Sequence, residues 1–388
     1  MVKCRMLRIS MKWKGHAMKI LLTATVQSHI CQFHRPLVEM LHEHGCEVDV
    51  AARDNLAEKN GLKLDFADHV FDVPFSRSPL GKSNRAAYKQ LKEIINNGDY
   101  DIIHCNTPVG GVLTRRAASR RKKGTKVFYT AHGFHFYKGA PLKNWLLYYP
   151  VEKFFSRKTD DLITIVDEDY RFAQAHFRCP VSRIHGVGVD NVRFSVLSRD
   201  EIRDKRVQMG YDPDANLILC VGELLPNKNQ KLAISAMPAI LKEHPNTKLL
   251  IAGNGPEKEN LERLIDSLNL KGHVELLGYR TDISDFHQIS DLLVACSIRE
   301  GLSISVIEAM MCAKPVVLTE NRGHRELIDG GNNGFMVPVT DCEGISTHVC
   351  ELLDNEEKYL TFSHNAYAFS QRYSKARVRE ELREIYGL

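Results

Sequence analysis

Two acidic residues, Glu300 and Glu308, stand on either side of the start of a predicted helix that follows a buried strand. The predicted helix runs over Ser303–Met311. Its start leaves three backbone amides without intrahelical partners, those of Gly301, Leu302 and Ser303. Unpaired amides and the helix dipole together attract an anion, so the sequence predicts a diphosphate site here. Carboxylates accept hydrogen bonds from hydroxyl groups, which suits Glu300 to a sugar and Glu308, roughly 7 Å further along the axis, to a ribose diol.

Both glutamates also have an ordinary explanation, since a loop acid is commonly exposed and a helix acid commonly solvated. Four apolar neighbours surround Glu308, which are Val306, Ile307, Ala309 and Met310. An acid in such a stretch tends to be buried, and a buried acid needs a partner. This context favours a binding role for Glu308.

Short apolar runs alternate with helical patterns along the chain, in two successive sets. The first set of predicted strands comprises Lys19–Thr23, Val48–Ala52, Ile102–Cys105, Lys126–Thr130 and Leu162–Val166. The second set comprises Leu217–Val221, Lys248–Ala252, Val274–Leu277, Leu292–Ala295 and Pro315–Leu318. A helix over Gln32–His44 is predicted after the first strand, and strands joined in this way are typical of parallel sheets covered on both faces. We therefore predict an α/β fold with two Rossmann-like domains, and a ligand in the cleft between them outside the carboxyl ends of the strands.

The length of 388 residues suits two domains, because a single core rarely grows beyond ~250–300 residues. Residues 1–17 are basic and lack an apolar core, so we predict a disordered extension there and no signal peptide. The predicted domains span residues 18–188 and 189–370, joined near Gly186–Asp190. Residues 371–388 are predicted to form a C-terminal helix that crosses back to the first domain.

Composition is typical of a globular protein in a reducing compartment. Apolar residues make up 43% and charged residues 26% of the chain, and no apolar run reaches the ~18 residues of a membrane span. The ten cysteines are scattered without a C-x-x-C pair, as buried thiols are. The net charge of +5 is too small to predict a nucleic-acid partner. We expect a cytoplasmic protein.

The segment from Glu300 to Glu308 resembles the E-x7-E motif of the family 4 glycosyltransferases, which have the two-domain GT-B fold. Other segments are similar to the same family in the same order, namely Val221–Leu224, Ile251–Pro256, Leu277–Tyr279 and Asn333–Val337. The resemblance extends from about Met18 to the C-terminus. Within the family, the chain is most similar to bacterial exopolysaccharide or capsule glycosyltransferases, through Thr107–Leu113, Thr130–Phe136 and Glu223–Gln230.

The resemblance implies a role for each residue that matches the family's motifs. Glu300 would hold the donor sugar, Glu308 the ribose, and Lys228 the distal phosphate, whose charge a compact ammonium neutralises. His132 follows a strand of the first domain and would contact the donor sugar, so His132 and Glu300 are the predicted catalytic residues. The alternative for His132 is a turn histidine with only a structural role.

Four further positions belong to the implied donor site, and one of them departs from the family's pattern. Gly222 and Glu223 lie in the phosphate-binding segment, and Gly278 and Tyr279 fall at the base pocket. Many relatives carry an arginine where this chain has Glu223. We hypothesise that Arg299 supplies the missing charge.

The loop after the first strand is a second departure. Many relatives have a glycine pair here, which this chain replaces with Val26–His29. Ser28 or His29 would then contact the ligand instead of the backbone. Together with His135 they form a candidate acceptor or phosphate loop.

The implied activity is a retaining transfer from a nucleotide diphosphate sugar, with a UDP-sugar expected, to a lipid-linked or growing saccharide acceptor. No residue stands out as a covalent nucleophile, so we expect front-face substitution that needs neither a metal nor another cofactor. Asp167–Asp169 looks like a D-x-D metal motif, but Asp167 lies where a helix N-cap is predicted. Two other functions stay open: a UDP-N-acetylglucosamine 2-epimerase, and a non-catalytic subunit that binds sugar nucleotide in a polysaccharide assembly complex.

A cluster of basic residues predicts a membrane-facing side on the first domain. It comprises Arg115, Arg116, Arg120, Arg121, Lys122, Lys123 and Lys126, and it precedes the aromatic segments Trp145–Tyr149 and Phe154–Phe155. Basic residues attract anionic lipid, and Trp and Tyr favour the interface, although a solvated helix face is the usual explanation of such a run. We expect peripheral attachment to the inner face of the cell membrane.

Overall fold

The computed structural model describes residues 17–58 and 61–388, so the predicted extension over residues 1–17 lies outside it except for Ala17. The described chain divides into two compact units. The first unit consists of two segments, the described residues up to Gly188 and the segment Lys375–Leu388. The second unit is Val189–Ser374. The predicted boundaries lie after residues 188 and 370.

A seven-stranded parallel sheet forms the first unit. Its strands are β1 (Lys19–Val26), β2 (Glu47–Arg53), β3 (His69–Asp72), β4 (Ile102–Asn106), β5 (Lys126–Ala131), β6 (Asp161–Thr164) and β7 (Val181–Arg183). They lie in the order β3-β2-β1-β4-β5-β6-β7. The helices of this part of the chain are α1 (Gln27–Phe33), α2 (Arg35–Glu43), α3 (Asn84–Asn97), α4 (Pro108–Ala117), α5 (Leu142–Ser156) and α6 (Asp167–His176).

The predicted helix over Gln32–His44 is wrong in its bounds. The structure has two helices here, with α1 starting directly after β1 and a one-residue break at His34. Pro36 lies in the first turn of α2, where backbone N–H groups have no partner within the helix, so its lack of an N–H costs nothing there. Inside a longer helix the same proline would remove a hydrogen bond, which is why α1 does not continue through it. The His34 side chain caps neither helix. As a result, His29 lies on α1, close behind the carboxyl end of β1.

A six-stranded parallel sheet forms the second unit. Its strands are β8 (Asn216–Val221), β9 (Thr247–Ala252), β10 (Val274–Gly278), β11 (Leu292–Ala295), β12 (Val316–Thr319) and β13 (Gly334–Val337). They lie in the order β10-β9-β8-β11-β12-β13. The helices are α7 (Arg199–Gln208), α8 (Gln230–Glu243), α9 (Lys258–Ser267), α10 (Ile283–Ile289), α11 (Ile304–Met311), α12 (Arg322–Arg325), α13 (Cys342–Asp354) and α14 (Glu356–Ser370).

Both faces of this second sheet are buried. On β8, Ile218 and Cys220 pack in one apolar cluster, while Leu217 and Leu219 pack in another. Neighbouring residues of a strand point to opposite faces, so the two clusters lie on opposite sides of the sheet. The two parallel sheets confirm the predicted α/β class. Because all strands run in one direction, the loops after β8, β11 and β12 meet at the same edge.

The last helix, α15 (Lys375–Tyr386), belongs to the first unit. Tyr386 is buried, and its hydroxyl lies 2.6 Å from Nδ1 of His104 on β4. Nε2 of the same imidazole lies 2.7 Å from the Thr130 hydroxyl on β5. Lys375 forms an ion pair with Glu39 of α2 at 3.0 Å. The end of the chain therefore completes the packing around β4 and β5.

The basic cluster of the first unit is only partly exposed. Arg115 is 1% exposed, and its Nη2 donates to Glu152 Oε2 at 2.8 Å. Arg115 is thus buried away from any lipid surface, and this part of the membrane prediction is wrong. Arg121 forms an ion pair with Asp160 at 2.6 Å. None of the described helices combines the length and the apolar character of a membrane span.

The acidic run Asp167–Asp169 forms the first turn of α6. The predicted N-cap position of Asp167 is wrong, because Val166 is the N-cap residue and the helix begins one position later. Asp169 is buried, and its Oδ2 accepts the Phe134 N–H at 3.0 Å. This bond ties the loop after β5 to α6.

Candidate functional site

The loop after β11 leads into α11, and the predicted helix start is confirmed to within one residue. Ser303 is the N-cap residue, and its side chain caps no amide of the helix. The Ile307 N–H donates to the Ser303 carbonyl at 3.3 Å, so the amides between them have no partner within the helix. The start of α11 therefore presents backbone donors at the carboxyl edge of the sheet.

Lys228 and Glu300 form an ion pair beside this helix start. The Lys228 ammonium donates to Glu300 Oε1 at 2.5 Å, and the two side chains are 25% and 14% exposed. Lys228 follows β8 and Glu300 follows β11, which is the neighbouring strand. The two loops are also joined by Asn227, whose Nδ2 donates to the Arg299 carbonyl at 2.9 Å. The structure thus brings together the cation and the carboxylate that the sequence predicts for the donor.

Two glycines permit the close packing around this pair. A Cβ on Gly222 would lie 3.2 Å from Cδ of Lys228, so the lysine stem runs along the bare glycine backbone. A Cβ on Gly323 would lie 2.7 Å from the Gly301 carbonyl oxygen and 2.8 Å from Cβ of Glu300. A side chain at Gly323 would push the loop of Glu300 out of place, whereas one at Gly222 would require only a small shift of the lysine stem.

Glu308 lies on α11 against a histidine that sequence reasoning missed. His287 on α10 is 0% exposed, and its Nε2 lies 3.3 Å from Oε2 of Glu308, which is 17% exposed. The angle at this contact lies outside hydrogen-bond geometry, and within the described part of the chain neither ring nitrogen of His287 has a hydrogen-bond partner. A lone histidine between Phe286 and Gln288 carries no sequence signal that separates it from a core residue.

His324 on α12 is a second residue that the sequence did not single out. The ring is fully buried, and Nδ1 lies 2.7 Å from the Thr319 carbonyl. Nδ1 also lies 2.9 Å from the donor Nδ2 of Asn321, so it faces both an acceptor and a donor. Nε2 has no hydrogen-bond partner among the described residues. Burial lowers the pKa of His324 although the Glu300 charge opposes this shift, so a neutral imidazole lies in the electrostatic range of Glu300.

The other residues predicted for the donor site are more open to solvent. Glu223 and Arg299 are both exposed, and the hypothesis that Arg299 replaces a missing arginine stays a prediction. Tyr279 is 54% exposed. Gly278 has φ +69°, which favours glycine, and its carbonyl accepts the Gly253 N–H at 2.8 Å.

His132 follows β5 in the first unit and lies within a group of polar side chains. Its Nε2 is 3.2 Å from Nε2 of His29 and 3.2 Å from Oδ1 of Asn106. Burial lowers the pKa of His132 to about 4. Burial, with smaller contributions from His132 and Arg77, holds the pKa of His29 well below its usual value. Both imidazoles are therefore neutral at pH 7, and His132 acts there as a hydrogen-bonding group rather than as a cation.

The residues of the candidate acceptor or phosphate loop line one pocket of about 360 Å³. The pocket lies in the first unit at the carboxyl ends of β1 and β4, and its lining includes Ser28, His29, Arg77, Thr107 and His135. Ser28 is buried, and its hydroxyl accepts from Nδ2 of Asn55 at 2.9 Å. The His135 ring stacks on Tyr148 with 4.6 Å between ring centroids. Arg77 supplies a positive charge to this lining, and its side chain is exposed.

Comparison with known proteins places the chain among the glycosyltransferases. The family model described as "Glycosyl transferases group 1" matches residues 201–369, and the one described as "Glycosyl transferase 4-like" matches residues 19–166. EpsD of Bacillus subtilis (strain 168), provisionally named a glycosyltransferase, is 42% identical over 372 residues, which cover 95% of this chain and 96% of EpsD. An Escherichia coli protein named UDP-Gal:alpha-D-GlcNAc-diphosphoundecaprenol alpha-1,3-galactosyltransferase is 27% identical over 282 residues, or 71% of each chain. The chain belongs to the family 4 glycosyltransferases, as the sequence resemblance predicts.

A solved structure shows the same fold. The crystal structure of HepE from Anabaena in complex with UDP matches with a TM-score of 0.75 and 22% identity, covering 96% of this chain and 99% of HepE. At this level of identity the likeness concerns the fold alone. It confirms the predicted GT-B class.

Proposed function

We propose that this glycosyltransferase moves a sugar from a UDP-sugar to a lipid-linked or growing saccharide acceptor in exopolysaccharide or capsule synthesis, with retention of the anomeric configuration. The observation that carries the proposal is the Lys228–Glu300 ion pair at the start of α11. A cation, a carboxylate and unpaired helix amides at one point suit a diphosphate joined to a sugar.

Within this donor site, the amides at the start of α11 and the Lys228 ammonium take the diphosphate. An ammonium has three donors, so Lys228 can hold a phosphate oxygen and Glu300 together. Glu300 accepts hydrogen bonds from sugar hydroxyls while Lys228 fixes its position. The pair therefore sets the distance between the sugar and its leaving phosphate.

The transfer itself is a front-face substitution in which the leaving phosphate oxygen takes the proton of the acceptor hydroxyl. The protein's contribution is orientation and stabilisation of the negative charge that develops on the diphosphate. Neutral His132 contacts the donor sugar as a hydrogen-bond partner. Neither a metal nor another cofactor takes part in this scheme.

Two related proteins support the choice of donor and acceptor. The Escherichia coli relative is named for a UDP-galactose donor and a diphosphoundecaprenol-linked acceptor. HepE has been solved with UDP and with UDP-glucose. In this chain we assign the acceptor side to the first-unit pocket around His29, Arg77 and His135.

The proposal is tested by release of UDP from a panel of UDP-sugars, with and without polyprenyl-diphosphate-linked saccharides. We expect release that depends on the acceptor and yields a glycoside. An epimerised UDP-sugar without glycoside would favour the epimerase. Binding of UDP-sugar with neither reaction would favour the non-catalytic subunit.

Glu308 is the proposed ribose-binding residue, and we propose that the buried His287 ring, which lies behind its carboxylate, keeps that carboxylate in position. One carboxylate oxygen lies 3.3 Å from the buried His287 ring, which leaves the other oxygen for the ribose hydroxyls. A hydrogen bond to a charged group contributes ~1.5–3 kcal/mol. The enzyme should therefore prefer UDP to 2′-deoxy-UDP by roughly 10–100-fold.

We predict that His287→Phe shrinks this preference towards unity, because an apolar ring of similar size fills the space without orienting Glu308. The measurement is the ratio of the dissociation constants for UDP and 2′-deoxy-UDP by calorimetry. His273→Phe is the matched control, since His273 lies in the same unit and bonds the Thr247 carbonyl at 3.1 Å. An unchanged ratio in His287→Phe would show that His287 is only a packing residue.

The proposed membrane contact is the exposed apolar side of α5. Its apolar residues with more than half of their surface exposed are Leu142, Leu146, Leu147 and Phe154. Exposed basic residues lie nearby in the chain, namely Arg116, Arg120, Lys122 and Lys123. Exposed apolar side chains can bury themselves at the boundary of a lipid surface, and basic residues near that surface attract anionic lipid. We propose that α5 rests on the cytoplasmic leaflet, where a lipid-linked acceptor is found.

We predict that the double variant Leu146→Glu/Leu147→Glu binds anionic liposomes at least about 10-fold more weakly, because each leucine loses apolar burial worth ~1.5–3 kcal/mol. Sedimentation with phosphatidylglycerol-containing vesicles measures this. Leu360→Glu, at an exposed leucine of the second unit, serves as the control. Equal binding by all three proteins would rule out α5 as the contact.

A further inference from the structure

Three histidines of the first unit turn their rings towards one point. His29 lies on α1, His34 at the break between α1 and α2, and His132 directly after β5. The ring centroids are 4.5 Å apart for His29 and His132, 5.5 Å for His29 and His34, and 5.7 Å for His34 and His132. One ring nitrogen from each residue lies within 4.8 Å of the other two. The break at His34 and the early start of α1 create this arrangement.

The distances fit a tetrahedral metal site. Zinc–nitrogen bonds of ~2.0–2.1 Å place two ligand nitrogens about 3.3 Å apart along a tetrahedral edge. Nε2 of His29 and Nε2 of His132 are 3.2 Å apart, which matches that edge. The His34 nitrogen lies within 4.8 Å of the other two and would have to move closer by at most about 1.6 Å to reach this edge length.

His34 gives an independent indication of a missing ligand. Its side chain is only 5% exposed, and although the Asn106 side chain lies close enough to affect the pKa of His34, Nε2 has no partner within hydrogen-bond geometry in the described chain. Buried polar atoms are nearly always bonded, so an unbonded one calls for an explanation such as an ion. A metal bound by the three imidazoles would supply it.

The chemistry of the ligands selects the metal. The three ligands are imidazoles, which are neutral at pH 7 and ready to bind, and no carboxylate belongs to this group of described residues. Imidazole nitrogens suit Zn²⁺ and its neighbours in the transition series, whereas Mg²⁺ and Ca²⁺ prefer oxygen. Three histidines leave the fourth position open to water or to a substrate group.

We propose that His29, His34 and His132 form a binding site for Zn²⁺ or a related transition metal, and that its occupation inhibits transfer. Nε2 of His132 faces the Asn106 amide oxygen, an acceptor, so the metal would bind once the ring hydrogen has moved to Nδ1, and it would then remove that ring from the donor sugar. The inhibitory half rests on the proposed function, in which His132 contacts the sugar, while metal binding does not.

The binding half is tested on the chelator-treated full chain by titration with Co²⁺, whose visible absorption reports tetrahedral nitrogen coordination. We expect a tetrahedral spectrum that Zn²⁺ abolishes by competition and Mg²⁺ does not. His34→Gln should weaken binding by at least roughly 10–100-fold, the loss that removal of even an outer-shell partner causes. Because His34 is buried, His29→Gln at a half-buried position is titrated as well. His364→Gln, at an exposed histidine on α14, is the control that should bind normally.

The inhibitory half is tested by adding Zn²⁺ to the transfer assay. We expect inhibition that a chelator reverses, and His34→Gln should keep most of its metal-free turnover while it loses the sensitivity to Zn²⁺. Absence of the tetrahedral spectrum, or equal metal binding by the wild type and both variants, would overturn the site. A normal spectrum with unaffected transfer would overturn the inhibition. A chain without transferase activity would instead refute the proposed function, and the Co²⁺ titration would still decide the site.

Discussion

Glu300→Gln is expected to lower kcat/KM by roughly 10²–10³-fold, the loss typical of removing one preorganised polar group from a transition state. The carboxamide keeps the size of the side chain but loses its charge. It therefore accepts weaker hydrogen bonds from the sugar and releases the Lys228 ammonium from a contact of 2.5 Å. Steady-state kinetics with the best UDP-sugar of the panel measures the effect.

The affinity for UDP separates loss of the sugar contact from loss of the whole site. UDP lacks the donor sugar that Glu300 is proposed to hold, so Glu300→Gln should bind UDP almost as the wild type does. Glu262→Gln, at an exposed acid on α9, is the control for an unspecific change of charge. Full turnover in Glu300→Gln would contradict the assignment of Glu300 to the donor sugar. A loss of UDP binding would indicate instead that Glu300 supports the diphosphate.

Glu152→Ala is expected to lower the free energy of unfolding by ~3–5 kcal/mol, because it leaves the buried Arg115 guanidinium without its carboxylate. Arg115 is 1% exposed, and its guanidinium lies 3.9 Å from the centre of the Tyr129 ring. Glu152 also accepts from the Tyr129 hydroxyl at 3.2 Å, a bond that the variant loses as well. Urea unfolding followed by circular dichroism measures the change.

A double variant distinguishes an unpaired charge from a simple cavity. Arg115→Met/Glu152→Leu removes both charges and should regain most of the lost stability. Asp65→Ala breaks an exposed ion pair with Arg35 in the same unit and should leave the unfolding midpoint nearly unchanged. If the double variant is as unstable as Glu152→Ala, packing rather than charge explains the loss.

The sequence was sufficient to predict features that depend on short-range pattern. The apolar run of β11 followed by a polar loop and an apolar helix predicts α11 to within one residue. The apolar neighbours of Glu308 predict its partial burial, and the side chain is 17% exposed. The alternation of strands and helices predicts the two parallel sheets.

Features that depend on the order of strands in space were beyond the sequence. Lys228 and Glu300 meet only because β11 lies next to β8, although 72 positions separate the two residues. Arg115 resembled a solvated cation because its partner Glu152 lies on another helix, 37 positions away. His287 stayed hidden for the same reason, since its contact with Glu308 joins two helices.

The position of α15 bears on how the protein is made. The first unit starts near the N-terminus, yet α15 is its last element, and the second unit is inserted between Gly188 and Lys375. During synthesis, β4 and β5 leave the ribosome long before Tyr386, which covers His104. The second unit is continuous in the chain, whereas the first unit lacks its last helix until α15 has emerged. We therefore expect the second unit to complete its packing first, against the usual order in which the N-terminal domain is finished first.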